Sequence, residues 1–158
     1  MIQDRVRELF DYDAITGALR WRRNKGRAVA GSLAGYVTED GHLRVKFDGR
    51  EHMVHRVVWL WVTGKWPELE IDHRDGCGSN NAWGNLREVT ASVNRQNQRR
   101  PRADSTSQMQ GVKRHCNKFK ARITVNGCQQ YLGLFDSAAD AHAAYLAAKR
   151  QLHEGCTL

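Results

Sequence analysis

Asp72 and His73 stand side by side at the end of an apolar-alternating run, Asn85 heads a second run twelve residues on, and Asn94 follows nine residues later in a helix-like stretch. A carboxylate, an imidazole and two amides at this spacing are the parts of a hydrolytic site built around one metal ion. Side-chain oxygens suit a hard divalent cation better than zinc, which favours nitrogen and sulfur. An imidazole takes up and gives back a proton near neutral pH. On a strand, neighbouring side chains point to opposite faces, so Asp72 and His73 are free to serve different partners.

The elements that must hold these residues are legible around them. Glu68 to His73 reads as a strand, followed by a polar loop through Gly76, Gly78 and Gly84, then a second strand from Asn85 to Val89. Thr90 is placed to cap a helix starting at Ala91, with Val93 and Asn97 on one face and Asn94 on the neighbouring one. Upstream, the apolar density of His55 to Thr63 predicts a buried helix behind these strands, ended by Gly64-Lys65-Trp66-Pro67. His42 to Phe47, Asp48-Gly49 and Arg50 to Val54 form a strong hairpin signal, because Asp-Gly readily adopts the positive φ angles of a type I′ turn. At the N-terminus the pattern predicts an amphipathic helix over Ile2 to Phe10, a turn over Asp11 to Gly17, a strand over Ala18 to Arg23 and a Gly-rich basic loop over Asn24 to Ala34.

From Val54 to Asn97 the chain resembles the HNH endonucleases, in the phage and group I intron variety whose last motif His is replaced by Asn. The resemblance is carried by Val54-His55-Arg56, Ile71-Asp72-His73, Gly76, Asn80-Asn81, Asn85-Leu86-Arg87 and Asn94. It implies a ββα-metal module that hydrolyses phosphodiester bonds in double-stranded DNA. In that reading Asp72 and Asn94 hold one divalent ion, Mg²⁺ or Mn²⁺, against the phosphate and the leaving 3′ oxygen. His73 is the general base, and Asn85 braces the loop and fixes the aim of His73. His55 takes a structural or phosphate-contacting role, with Asp75 and Asn81 stabilising the loop.

After Asn97 the apolar periodicity stops, and residues 98–108, rich in arginine and serine, read as a basic linker. A second module spans residues 109–158. Phe119, Ala121, Ile123 and Val125 alternate with Lys118, Lys120, Arg122 and Thr124, and Asn126-Gly127 is another type I′ signal. A two-residue turn pairs Val125 with Cys128, which sends Gln130 and Leu132 inward and Gln129 and Tyr131 outward. The outward face thus collects Lys113, His115, Lys118, Lys120, Arg122, Thr124, Gln129 and Tyr131. Ser137 and Asp140 then start an Ala-rich helix. Together with Gly111-Val112, Tyr131-Leu132-Gly133-Leu134-Phe135 and Ala138-Ala139-Asp140-Ala141, this resembles the AP2 DNA-binding domain, which implies that the sheet, rather than the helix, lies in the major groove. Gln129 and Thr124 stand where that family often has arginines, so a binding mode carries over but a sequence preference does not.

The expected fold is α+β, with an N-terminal hairpin region plus nuclease module over residues 1–97. The net charge of +8 and pI near 9.7 favour a polyanionic partner. No apolar run reaches the roughly 18 residues of a membrane span, so a cytoplasmic protein of a host bacterial cell is expected. Cys77, Cys116, Cys128 and Cys156 are scattered, without the close pairing of zinc or redox sites. The expected protein is a monomer or weak dimer of phage or homing type, and one site per chain predicts nicking of one strand. The rival expectation is a non-catalytic DNA-binding regulator on a degenerate nuclease fold, against which the intact Asp72, His73, Asn85 and Asn94 set argues.

Overall fold

The computed structural model describes residues 2–99, 101, 105 and 107–157. Arg100 and Arg102 of the expected linker lie outside the described residues. The chain divides into two compact units, Met1–Ala91 and Ser92–Leu158.

The first unit opens with helix α1, Ile2–Leu9, which buries Val6 and Leu9. Phe10 has the spacing to extend that helix but instead begins strand β1, Phe10–Tyr12, paired antiparallel with β2, Leu19–Trp21. The reason is local: the Asp13 carboxylate accepts from the Ile15 N–H and the Thr16 hydroxyl, so the reversal starts later than expected and Phe10 is drawn fully into the core. Strands β3, Tyr36–Val37, β4, Leu43–Phe47, and β5, Arg50–Met53, make a three-stranded antiparallel sheet. Its tight turn has Asp48 at φ 47° and Gly49 at φ 79°, the conformation that Asp-Gly supplies at low cost. Val45 and Phe47 point inward while Lys46 is exposed.

Helix α2, Val54–Thr63, ends on Gly64 at φ 84°, whose N–H bonds back to the Leu60 carbonyl. Its main neighbours are α1 and the β4–β5 hairpin, where the sequence placed it behind the later strands. It meets those strands through a shared core. Ile71 of β6, Glu70–His73, and Leu86 of β7, Leu86–Val89, sink into the same cluster as Val6, Phe10, Val57 and Leu60. That anchoring fixes the ribbon's register at Asp72 opposite Arg87 and His73 opposite Leu86, because a one-residue slip would turn Ile71 and Leu86 to solvent. Trp21 is buried, and Trp59, Trp61, Trp66 and Trp83 pack against this core.

The second unit contains all but the first residue of helix α3, Ala91–Asn97. It continues with β8, Val112–His115, β9, Lys118–Val125, and β10, Cys128–Phe135, an antiparallel sheet in the order β10-β9-β8. Helix α4, Ala138–Leu152, packs against it, capped by the Ser137 side chain accepting from the Asp140 N–H. Asn126 and Gly127 form the tight turn at φ 50° and 81°.

The expected course of β10 needs correction. Gln130 pairs with Ile123 as the two-residue turn requires, yet it is exposed rather than inward. A bulge between Tyr131 and Gly133 then inserts Leu132, which reverses the facing of everything beyond it. Phe135 thereby comes opposite Phe119, both against the small core of Val112, Ala121 and Ala141, and Leu134 comes opposite Lys120 on the other face.

Candidate active site

Strand β6 delivers Asp72 and His73, both about 95% buried, to its C-terminal end. The cross-strand partner of Asp72 is Arg87, whose Nε and NH2 lie 2.8 and 2.7 Å from Oδ2. This is a largely dehydrated ion pair, so the carboxylate is held in one orientation. On the opposite side of the strand, His73 Nε2 lies 3.2 Å from Asn81 Oδ1. Asn81 is fully buried, and its Nδ2 donates to the Ser79 carbonyl, which turns its oxygen toward the imidazole. The network therefore assigns the proton to Nε2 and the lone pair to Nδ1. Burial lowers the His73 pKa, against the hydrogen bond to Asn81, which raises it. The ring is neutral at physiological pH.

Two further imidazoles crowd His73. His55, from the first turn of α2, stands edge-on with ring centroids 5.2 Å apart, and His42, from the loop before β4, lies at 5.6 Å. Burial, helped by the neighbouring His73 and His42, pushes His55 down to about 3, and its Nδ1 is buried without a hydrogen-bond partner. His42 Nδ1 lies 3.1 Å from Asp40. Gly78 packs so closely on this ring that an added Cβ would come within 2.7 Å of it. Sequence spacing did not single out His42, since it is 31 residues from His73 (73 − 42) and only the fold brings them together. Among the described residues no group of three or more His, Cys, Asp or Glu is arranged to hold a metal ion, so these imidazoles are a packed cluster rather than a cage.

Asn85 ties the intervening loop to the strands. Its Nδ2 donates to Asp75 Oδ1 at 2.9 Å and to the Asn80 carbonyl at 2.8 Å, and its Oδ1 accepts from the Asp75 N–H at 3.0 Å. Asp75 in turn accepts from Asn80 Nδ2 and the Cys77 N–H, which help hold its carboxyl below the usual range against the opposing effect of burial. The N-terminal hairpin braces the loop from behind, a role with no signal in the sequence. Tyr12 donates its hydroxyl to the Asn81 carbonyl at 2.8 Å, and burial raises that phenol to about 12. Gly17, at φ 74°, lies so close that a Cβ would sit 2.3 Å from the Ala82 nitrogen.

In the second unit, Asn94 is half-buried on α3. Strand register places Lys113 beside Lys120, His115 beside Lys118, Arg122 beside Tyr131 and Thr124 beside Gln129, all on the face away from α4. Lys120 Nζ lies 5.1 Å from the Tyr131 ring centroid, Arg122 donates to Gln129 Oε1 at 2.7 Å, and Lys118 pairs with Asp136 at 3.0 Å. Leu134, brought across by the bulge, adds an apolar patch that alternation did not predict.

Residues 52–96 match the HNH endonuclease family. The match runs from within β5 through α2, β6 and β7 into α3, and an HNH endonuclease domain in that segment supports a DNA-cleaving hydrolase. No curated protein matches the chain. Among solved structures it is similar to one described as DNA binding and cleavage by the HNH homing endonuclease I-HmuI, at 22% identity over 84% of this chain and 74% of that one, with a TM-score of 0.44. No helix among the described residues is long and apolar enough to cross a membrane.

Proposed function

We propose that this protein is a metal-dependent DNA endonuclease in which His73 is the general base. The observation that carries the reading is the orientation of His73: a neutral, buried imidazole, held through Nε2 by Asn81, at the strand end inside the segment that matches the HNH family. Nδ1 is then the atom that accepts the proton as a water oxygen attacks phosphorus and the bond to the 3′ oxygen breaks. Asn81 continues to accept from Nε2–H when the ring becomes imidazolium, so the ring need not turn during the step. Asn85 acts through the loop, keeping Asn80 and Asn81 in place.

Asp72 and Asn94 offer a carboxylate and an amide oxygen, a donor set that fits a hard ion such as Mg²⁺ or Mn²⁺. Bound there, the ion would neutralise charge developing on the phosphate and the leaving oxygen. Arg87 keeps Asp72 aligned for that purpose. The AP2-like sheet supplies binding to double-stranded DNA through Lys113, His115, Lys118, Lys120, Arg122, Gln129 and Tyr131, with lysines and arginine on phosphates or guanine edges. One site per chain makes a monomer a nicking enzyme of the mobile-element, homing type.

Metal titration tests the assignment. Asp72→Asn and Asn94→Ala should each raise the Mn²⁺ concentration for half-maximal cleavage of a labelled duplex, while Asn85→Ala should lower the rate at an unaltered midpoint. An unchanged midpoint in the Asp72 variant removes it from the ligand set.

A further inference from the structure

Helix α3 has only seven residues, too few to be stable by itself, and its one fully buried side chain is the polar Asn97. Polar ties from elsewhere in the second unit hold its C-terminal end and the two residues after it. The Gly155 N–H donates to Gln96 Oε1 at 2.9 Å, and the Thr157 hydroxyl donates to Asn97 Oδ1 at 2.5 Å. Arg99 NH2 donates to the Thr157 carbonyl at 3.2 Å. The Gln98 carbonyl accepts from Gln110 Nε2 at 2.9 Å and from Lys149 Nζ at 2.6 Å, a lysine only 1% exposed. Beside these bonds, the tail backbone presses on the helix itself. A Cβ on Gly155 would lie 2.2 Å from the Val93 carbonyl oxygen and 3.0 Å from Gln96 Cβ, and Val93 immediately precedes Asn94.

We propose that the C-terminal tail, through Gly155 and Thr157, is a positioning element for the metal-ligand helix, so that the second unit sets the placement of Asn94 as well as binding DNA. The proposal rests on the reading of Asn94 as a ligand. Mg²⁺ demands near-ideal octahedral geometry with short oxygen distances, and displacement of a reacting or ligating group by about 1 Å is enough to cost on the order of 10²-fold in rate. Among the described residues after Asn97, the Gln98 carbonyl is held as above and the Ser107 hydroxyl donates to the Val112 carbonyl at 2.7 Å.

The test uses the full-length protein. Gly155 does not have a positive φ, so Gly155→Ala is opposed by its contacts with the Val93 carbonyl and Gln96 Cβ rather than by backbone strain. Gly155→Ala should raise the Mn²⁺ midpoint roughly tenfold or more and lower kcat by about 10- to 100-fold, with the DNA Kd within about twofold. Thr157→Ala should move the same quantities in the same direction by less, and it carries the test if the Gly155 variant does not fold. Glu154→Ala, at an exposed neighbour, should leave both unchanged. Asn94→Ala run in parallel separates the two claims. If it leaves the Mn²⁺ midpoint unchanged, Asn94 is no ligand and both claims fall. If it shifts the midpoint while Gly155→Ala and Thr157→Ala do not, or lower only the melting temperature, the ligand reading stands and the positioning role is overturned.

Discussion

Acidification should destabilise this protein through His55. The ring is buried against His73 and His42, and its folded pKa, about 3, lies well below the 6.5 of an exposed imidazole. Between those values the unfolded chain binds a proton that the folded chain refuses. Stability is therefore complete above about pH 6.5 and falls as pH drops toward 3, with a limiting slope of roughly 1.4 kcal/mol per pH unit from this one group. From about pH 7.5 to pH 4.5 the loss from His55 alone is on the order of 2–3 kcal/mol. His73 adds a loss of the same sign, so the His55 share is read as a difference between two proteins. His55→Leu keeps an apolar filler of similar size and cannot titrate. Urea unfolding of wild type and variant across this range gives the gap at each pH. The gap should move by about 2–3 kcal/mol in favour of the variant on acidification. A gap independent of pH would refute the claim that His55 is buried neutral beside the proposed base.

Two further outcomes follow from the ion pair and from the sheet. Arg87→Met leaves the Asp72 carboxylate buried without its guanidinium and should cost about 3–5 kcal/mol in urea unfolding; a loss under about 1 kcal/mol would mean the carboxylate is well hydrated. Replacing Lys113, Lys120 and Arg122 together with alanine should weaken binding to all duplexes and reduce the salt dependence of log K by roughly one unit for each phosphate no longer neutralised. Unchanged affinity and salt dependence in competition binding would mean the face does not meet DNA.

What sequence reveals here is what local rules govern. Asp48-Gly49 and Asn126-Gly127 dictate their turns, and the alternation through Ile71 and Leu86 pins the pairing of Asp72 with Arg87. Features that depend on tertiary approach were not legible. His42 meets His73 only because the loop before β4 folds beneath Gly78, and Tyr12 and Gly17 brace the loop of Asn81 from a distant hairpin. The bulge at Leu132 leaves no pattern in the alternation except the glycine that follows it, and it transfers Leu134 to the basic face. Helix α3 reads as part of the nuclease motif because its register with β7 is continuous in sequence. Its grouping with the second unit depends on Gln96, Asn97 and Gly155, whose partners lie about 60 residues apart and obey no periodicity.

The proposed hydrolysis of DNA, with His73 as base and a divalent ion bound, underlies every role assigned above. It is tested most directly by incubating supercoiled plasmid with purified wild-type protein and His73→Ala, each with Mg²⁺ or with a chelator. Wild type should give open-circular product with Mg²⁺ and none with chelator. His73→Ala should cut at a rate lower by about 10²- to 10⁴-fold, with DNA affinity nearly intact. Cleavage by His73→Ala at the wild-type rate, or wild-type cleavage undiminished in chelator, would contradict the proposal.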